Sequence, residues 1–291
     1  MPSDPALRTS LAGIELRNPI GLAAGFDKEC SHLEALGRLG FGYVVGGTVT
    51  RAPRRGNAKP RIVRDSSTGA IVNSMGLPNP GADAAAQALR RSERTAPRFV
   101  SLADESLEDV LPAFGVLEPL VDGFELNASS PNAGWAHEQA HVGLLVRELR
   151  ARTGKPIFVK LPRFESNEDR EGVLGMALEA VEGGASGLTC SNTRPVQDSR
   201  LAVGRGGLSG RPLSGRTPEI VREILDATGG GFPVNACGGI STADDARACL
   251  DAGASTVQLY TGLVFEGPRI VGRMARGLSA LGLDISPEEA R

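Results

Sequence analysis

The chain has 291 residues, 41% of them hydrophobic, and 32 lysines and arginines against 34 aspartates and glutamates give a net charge of −2. That balance shows no basic face, which argues against a nucleic-acid partner. No apolar run reaches the roughly 18 residues needed to span a bilayer, and the N-terminus does not read as a signal peptide, so no stable membrane anchoring and a cytoplasmic location are expected. Cys30, Cys190, Cys237 and Cys249 lie far apart, with no C-x-x-C pair for a metal and no secreted disulfide framework; Cys190 and Cys237 read as core. His137 and His141 are spaced for metal ligation, but no third ligand accompanies them, so no metal is expected.

Strand-like and helix-like runs alternate from end to end. In chain order they are strand Ile20–Ala24, helix Cys30–Leu39, strand Tyr43–Gly47, helix Gly81–Leu89, strand Arg98–Leu102, helix Glu105–Phe114, strand Gly123–Leu126 and helix Val142–Arg152. Strand Ile157–Leu161, helix Asp169–Glu182, strand Gly187–Cys190, helix Pro218–Ala227, strand Val234–Ala236, helix Ala243–Ala252, strand Thr256–Leu259 and helix Pro268–Leu281 follow. Short apolar strands without alternation suit a parallel sheet buried on both faces. Such βα units, with no linker, low-complexity tract or break in composition, predict one α/β domain over residues 1–291, a single (β/α)8 TIM barrel. Thr50–Val72 and Asn192–Arg216 are too long for ordinary connections and read as functional excursions. The first reads as a hairpin around Arg54-Arg55-Gly56-Asn57, with the two arginines in a solvated turn.

Chemistry concentrates where the strands end. The fourth strand runs out into Glu125-Leu-Asn-Ala-Ser-Ser-Pro-Asn132, which places amides Asn127 and Asn132 and hydroxyls Ser129 and Ser130 within six residues. In a repeating β/α protein that is a strand tip opening into a site, equipped to bind a small polar substrate and to move a proton. The first strand ends Ala23-Ala24-Gly25-Phe26-Asp27-Lys28, where small residues let a flat ligand approach and Lys28 adds a cation. Lys160 sits in a Val/Leu strand, which is costly unless an anion or electron-rich group accepts it. The sixth tip, Cys190-Ser191-Asn192-Thr193, leads to the glycine-rich Gly204–Gly210. Gly238-Gly239 and Tyr260-Thr261-Gly262 end the seventh and eighth strands, the place where a barrel cradles a phosphate on backbone N–H groups.

Taken together, these motifs resemble the dihydroorotate dehydrogenase family of FMN-dependent (β/α)8 flavoproteins. The anchors run from Asn18 to Gly282: Asn18-Pro-Ile-Gly-Leu-Ala-Ala-Gly-Phe-Asp-Lys28, Gly56-Asn57 with Pro60-Arg61, Asn73-Ser-Met-Gly-Leu77, Asn127 to Asn132, Lys160, Asn192-Thr193, Gly206 to Gly210 and Val257 to Thr261. The resemblance implies FMN over the barrel mouth, its phosphate at Gly210, Gly238, Gly239, Tyr260 and Thr261. Ala23, Ala24, Gly25, Lys28, Thr48, Asn127, Ser191 and Cys237 would flank the flavin, and Lys160 would stabilise its reduced anionic ring. Asn73, Asn127, Asn132 and Asn192 would bind the substrate's carboxylate and ring amides, with Lys28, Met75, Gly76, Leu77 and Thr193. Ser130 would take the proton from C5 of dihydroorotate while C6 gives hydride to the flavin, and Ser129 or Thr193 would help carry the proton away. A separate electron acceptor is implied, and dimerisation through a barrel face is a family expectation.

The match is mixed between branches. Ser130 and Lys28 follow the membrane-associated, quinone-using branch, whereas Asn73-Ser-Met-Gly-Leu-Pro-Asn79 resembles the soluble one. Gly47 stands where the soluble branch has lysine, and Ser101-Leu102-Ala103 lacks an asparagine of the membrane branch. Only 17 residues precede Asn18, so a soluble oxidant such as fumarate is expected over a long-chain quinone. An alternative substrate is another small cyclic amide or acid of specialised metabolism.

Overall fold

The structure, a computed structural model, describes residues 4–130, 139–283 and 285. Strands β1 (Thr9–Leu11) and β2 (Ile14–Leu16) form an antiparallel hairpin ahead of the barrel. The barrel itself closes from β3 (Ile20–Leu22), β4 (Tyr43–Val49), β7 (Arg98–Leu102), β8 (Gly123–Asn127), β9 (Ile157–Lys160), β10 (Gly187–Cys190) and β13 (Val234–Cys237) to β14 (Thr256–Leu259), which pairs back onto β3. The outer ring is α1 (Leu33–Gly37), α2 (Ala82–Arg91), α3 (Leu107–Leu117), α4 (Gln139–Arg150), α5 (Asn167–Glu182), α6 (Thr217–Ala227), α7 (Ala243–Asp251), α8 (Thr261–Glu266) and α9 (Ile270–Ala280). The expected TIM barrel is therefore the observed one.

Local sequence sets the helix starts. Ser106 and Ser166 cap α3 and α5 by accepting the N–H of Asp109 and Asp169. Thr242 and Asp245 form a reciprocal capping box on α7. Leu, Val, Ile and Ala side chains of these helices close over the outward faces of the strands in one continuous core.

Inside the barrel, the N-terminal end is filled by aromatics. Tyr43 and Phe99 meet edge to face at 5.6 Å between ring centroids, and Phe99 meets Phe158 in the same way at 5.9 Å. Each ring lies over a glycine of the neighbouring strand: a Cβ on Gly21 would lie 2.3 Å from the Tyr43 ring, on Gly123 2.4 Å from Phe99, and on Gly187 2.1 Å from Phe158. Large residues are thus matched to small ones across adjacent strands, which is how a tapering interior reaches native density. Leu11 and Leu16 of the β1–β2 hairpin pack against the same cluster and stop that end of the barrel. Only the opposite end, where the strands finish, is left for a ligand.

The two long excursions meet. β5 (Ile62–Asp65), β6 (Ala70–Asn73), β11 (Arg194–Gln197) and β12 (Arg205–Gly210) form a separate antiparallel sheet in the order β11-β12-β6-β5. Asn73 of the first excursion is paired with Gly207 of the second. The expected hairpin at Arg54–Asn57 is corrected: the chain reverses at Ser66–Gly69, between β5 and β6, where Asp65 accepts from Ser67 and Thr68 in an Asx turn. Arg54 is not in a solvated turn either, since it is paired with Asp104 at 2.7 Å. The expected last helix is α9, and a short helix that was not expected, α8, precedes it, opened by Tyr260-Thr261.

Candidate active site

The strand ends and the excursion sheet enclose a cavity of about 1020 Å³, at the top of the roughly 300–1,000 Å³ range of small-molecule sites. Its floor is polar, and the polarity starts inside the barrel. Glu125 of β8 and Lys160 of β9 project into the lumen, and Lys160 Nζ lies 3.7 Å from Glu125 Oε1 with both side chains almost wholly buried. The other carboxylate oxygen accepts from Thr189 Oγ1 at 2.9 Å and Gln258 Nε2 at 3.2 Å. Asn235, Thr256 and the Tyr43 hydroxyl extend the network toward the aromatic layer below. The anion that an apolar-strand lysine requires is thus supplied by the protein itself. Burial alone pulls the Lys160 pKa down, but Cys237 and Glu125 offset it, and the net direction is upward from the ordinary 10.5. Burial raises the Cys237 thiol, so at neutral pH it is a neutral neighbour 3.9 Å away, and the charge holding the ammonium is that of Glu125.

One wall is a continuous chain of amides and hydroxyls. Ser101 and Thr48 share a hydrogen bond at 3.0 Å, and Asn127 Nδ2 donates to Thr48 at 3.1 Å. Ser129 donates to Asn127 Oδ1 at 2.7 Å and accepts from Asn192 Nδ2 at 2.7 Å, and Asn192 Oδ1 accepts the Thr193 N–H at 2.8 Å. Two amides from strands far apart in sequence are thereby fixed in orientation by the serine between them. Asn73 faces them from the excursion sheet, where its Nδ2 donates to Gly207 O at 3.4 Å. Asn57 braces the adjoining loop, donating to Ser74 O and, through its N–H, to Met75 O. Lys28 reaches back to donate to Gly25 O. Burial and then Arg61 lower its pKa, with Asp27 opposing.

The opposite wall is built from glycines. Gly210, Gly238 and Gly239 have φ of 96°, 146° and 77°. A Cβ on Gly210 would fall 2.2 Å from Gly69 O, and one on Gly239 2.3 Å from Ser214 N. Side chains are excluded there on both conformational and steric grounds, and the bare backbone faces the cavity, as a phosphate cradle requires. Thr261 at the start of α8 is held by its bond to Ser209 at 2.9 Å.

All the residues expected to hold flavin (Ala23, Ala24, Gly25, Thr48, Lys160, Ser191, Gly210, Cys237, Gly238, Gly239, Tyr260, Thr261) line this one cavity. So do the substrate-side residues Lys28, Asn73, Met75, Gly76, Leu77, Asn127, Asn192, Thr193 and Ser130. Asn132 and His137 lie outside the described residues. Two contributors went unmarked in the sequence. Glu125 appeared only as part of a motif, although a carboxylate two residues before the strand tip faces the same lumen as Asn127. Arg163, buried behind Gly238, carried no signal beyond being a charge just past a strand end. The cavity fits a flavin in three ways: a glycine wall with room for phosphate, small residues Ala23, Ala24 and Gly25 along a flat side, and a cation in the floor. No helix among the described residues is long and apolar enough to cross a membrane.

The chain is similar to known proteins. A family model described as dihydroorotate dehydrogenase matches residues 6–281. A relative named dihydroorotate dehydrogenase (quinone) from Roseiflexus castenholzii is 40% identical over 297 residues, covering 96% of this chain and 80% of the relative. One of the same name from Thermus thermophilus is 38% identical over 291 residues, covering 96% and 84%. Among solved structures, the dihydroorotate dehydrogenase of Eimeria tenella in complex with ferulenol superposes with a TM-score of 0.85 at 28% identity, covering 98% of this chain and 88% of that one.

Proposed function

The chain belongs to the dihydroorotate dehydrogenase family, and from that premise we propose that it oxidises dihydroorotate to orotate in pyrimidine biosynthesis, with FMN as its flavin and Ser130 as the base. The observation that carries the reading is the division of a single cavity into an amide wall and a glycine wall with a paired lysine between them. The alternative of another cyclic amide or acid has no such support, since the relatives share one substrate name.

The residues divide the work. A flavin bound against the glycine wall would supply the hydride acceptor for C6 of the substrate. Asn73, Asn127 and Asn192 offer both donors and acceptors, which suits a ring carrying amide N–H, carbonyl and carboxylate groups. The Ser129 bridge holds two of these amides in register, so the substrate meets preset partners, and orientation is gained before the reaction begins. Ser130 Oγ takes the C5 proton. A serine hydroxyl is a weak base, so the proton has to pass on as it arrives. The Ser129 proton is committed to Asn127, which leaves Thr193, two elements away on the same wall, as the better relay. The Lys160 ammonium lies in the floor, where it opposes negative charge accumulating in the cavity.

The flavin identity has a direct test. The purified protein should be yellow, and acid extraction should release one FMN per chain; FAD, or a folded protein without chromophore, contradicts the proposal.

The relatives' names turn the acceptor toward a quinone, in place of the soluble oxidant first expected. Phe26, 36% exposed, packs edge-on against Tyr260 of the cavity wall at 5.6 Å, which offers an apolar molecule a landing place. Steady-state turnover with ubiquinone and menaquinone analogues should exceed that with fumarate. Fumarate outpacing every quinone would restore the soluble acceptor.

A further inference from the structure

Arg163 follows the β9 tip, and its side chain is 1% exposed. The guanidinium spans long stretches of chain. Nη1 donates to Thr217 Oγ1 at 3.1 Å and Nη2 to Leu213 O at 3.3 Å, while Nε donates to Glu165 at 2.6 Å. These partners form the back of the glycine wall. Thr217 Oγ1 bonds Gly238 O at 2.8 Å, and the 213–214 segment is the surface against which Gly239 is packed. A Cβ on Gly238 would lie 2.8 Å from Thr217 Oγ1 and 3.3 Å from Arg163 Nη1, so the cation sits directly behind the backbone that faces the cavity.

The charge around Arg163 is unbalanced. Its one carboxylate partner among the described residues, Glu165, is 38% exposed and is screened by water, whereas the guanidinium is not. Arg194 and Arg216 lie near enough to oppose its charge, adding to the effect of burial, although Arg216 is itself paired with Glu219 and Glu223. A buried cation with like-charged neighbours and a half-solvated counter-ion is short of negative charge. The glycine wall is where an anion would supply it.

We propose that Arg163 is a positioning residue for the flavin phosphate: through Thr217 it fixes the Gly238–Gly239 backbone, and its buried charge favours a dianion in the cradle. This rests on the FMN reading above, and it adds a residue that reads the phosphate rather than the ring. Full-length protein stripped of flavin is titrated with FMN and with riboflavin, which share the ring but not the phosphate. Arg163→Gln should weaken FMN binding by about tenfold or more, the usual worth of a charge-assisted contact, and leave riboflavin binding within about threefold. Arg163→Lys should keep part of the preference. An equal loss for both ligands would make Arg163 a wall support only and overturn the proposal, as would no loss for either. Should Arg163→Gln fail to fold, Thr217→Val carries the test, because it keeps the guanidinium and removes the link to Gly238. It too should lower the FMN-to-riboflavin ratio, and a wild-type ratio there overturns the proposal. A wild-type protein that binds riboflavin as tightly as FMN removes the FMN reading itself, and the proposal with it. A wild type that prefers FMN while the variants keep that preference removes the proposal alone.

Discussion

Replacing Ser130 by alanine should slow reduction of the bound flavin by dihydroorotate by about 10²–10⁴-fold, the range a positioned general base contributes. Ser130 lines the cavity beside the Asn127–Ser129–Asn192 chain, whose hydrogen bonds run through Ser129. Flavin content and orotate affinity should therefore survive the substitution, so that the loss falls on the proton step and not on binding. Stopped-flow absorbance in the absence of an oxidant isolates that step. Ser129→Ala should behave differently: with the bridge between two amides gone, orotate binding weakens more than the rate of reduction falls. If Ser130→Ala loses less than about threefold while Ser129→Ala loses the reduction step, the base is Ser129 and the assignment along this strand tip shifts by one residue.

Much of this architecture is written locally. The barrel strands are short apolar runs with polar tips, and the tips marked the barrel's share of the cavity, because a barrel places every strand's C-terminal end on one face. Asn73, Met75, Gly76 and Leu77 of the excursion, by contrast, were marked only through the family motif. Caps such as Thr242 with Asp245 likewise need only neighbours in sequence. What the sequence did not disclose depends on pairing between distant segments. The sheet that joins Asn73 to Gly207 is made by two excursions more than a hundred residues apart, and neither shows strand alternation long enough to be recognised. The hairpin turn was misplaced for a related reason. Gly56-Asn57 looks like turn chemistry, but Gly56 has φ of 73° in a loop packed against Met75, while the reversal lies at Ser66–Gly69. The β1–β2 hairpin was also missed. Each of its strands is three residues long, and its role as a stopper appears only when Leu11 and Leu16 meet Phe99 and Phe158.

Lys160 shows both sides of the same limit. A lysine in an apolar strand announces a buried partner, but the partner is named only by strand register. Asn127 pairs with Lys160 across β8 and β9, which sets Glu125 one pleat earlier on the same face. The lumen floor is consequently neutral as a unit, an ammonium and a carboxylate in contact, with the ammonium nearer the strand tips. This arrangement presents the positive end of the pair to the cavity while limiting the cost of burying a cation.

Removing the carboxylate should expose that cost. Glu125→Gln leaves the buried ammonium without a counter-ion, and breaking one partner of a buried pair typically costs about 3–5 kcal/mol. The pH dependence separates charge from packing. In the wild type the Lys160 pKa is raised above 10.5 in the folded state. The pair's stabilisation is therefore fully present below pH 10.5 and is lost only as the pH rises through the folded value. In Glu125→Gln the remaining neighbour, the Cys237 thiol, stays neutral because burial raises it, so burial acts on Lys160 without a charged partner and should lower its folded pKa below the unfolded one. The unfolded chain then binds more protons in the window between the two, and stability rises with pH there. Urea unfolding of the flavin-free protein should accordingly show a deficit that shrinks as pH is raised toward 10.5, with no such trend in the wild type. The double variant Glu125→Leu with Lys160→Met should recover most of the loss, because two apolar side chains of similar volume need no partner. A Glu125→Gln deficit that is flat with pH, and that Lys160→Met does not relieve, would mean that Glu125 matters through its bonds to Thr189 and Gln258 and not through its charge.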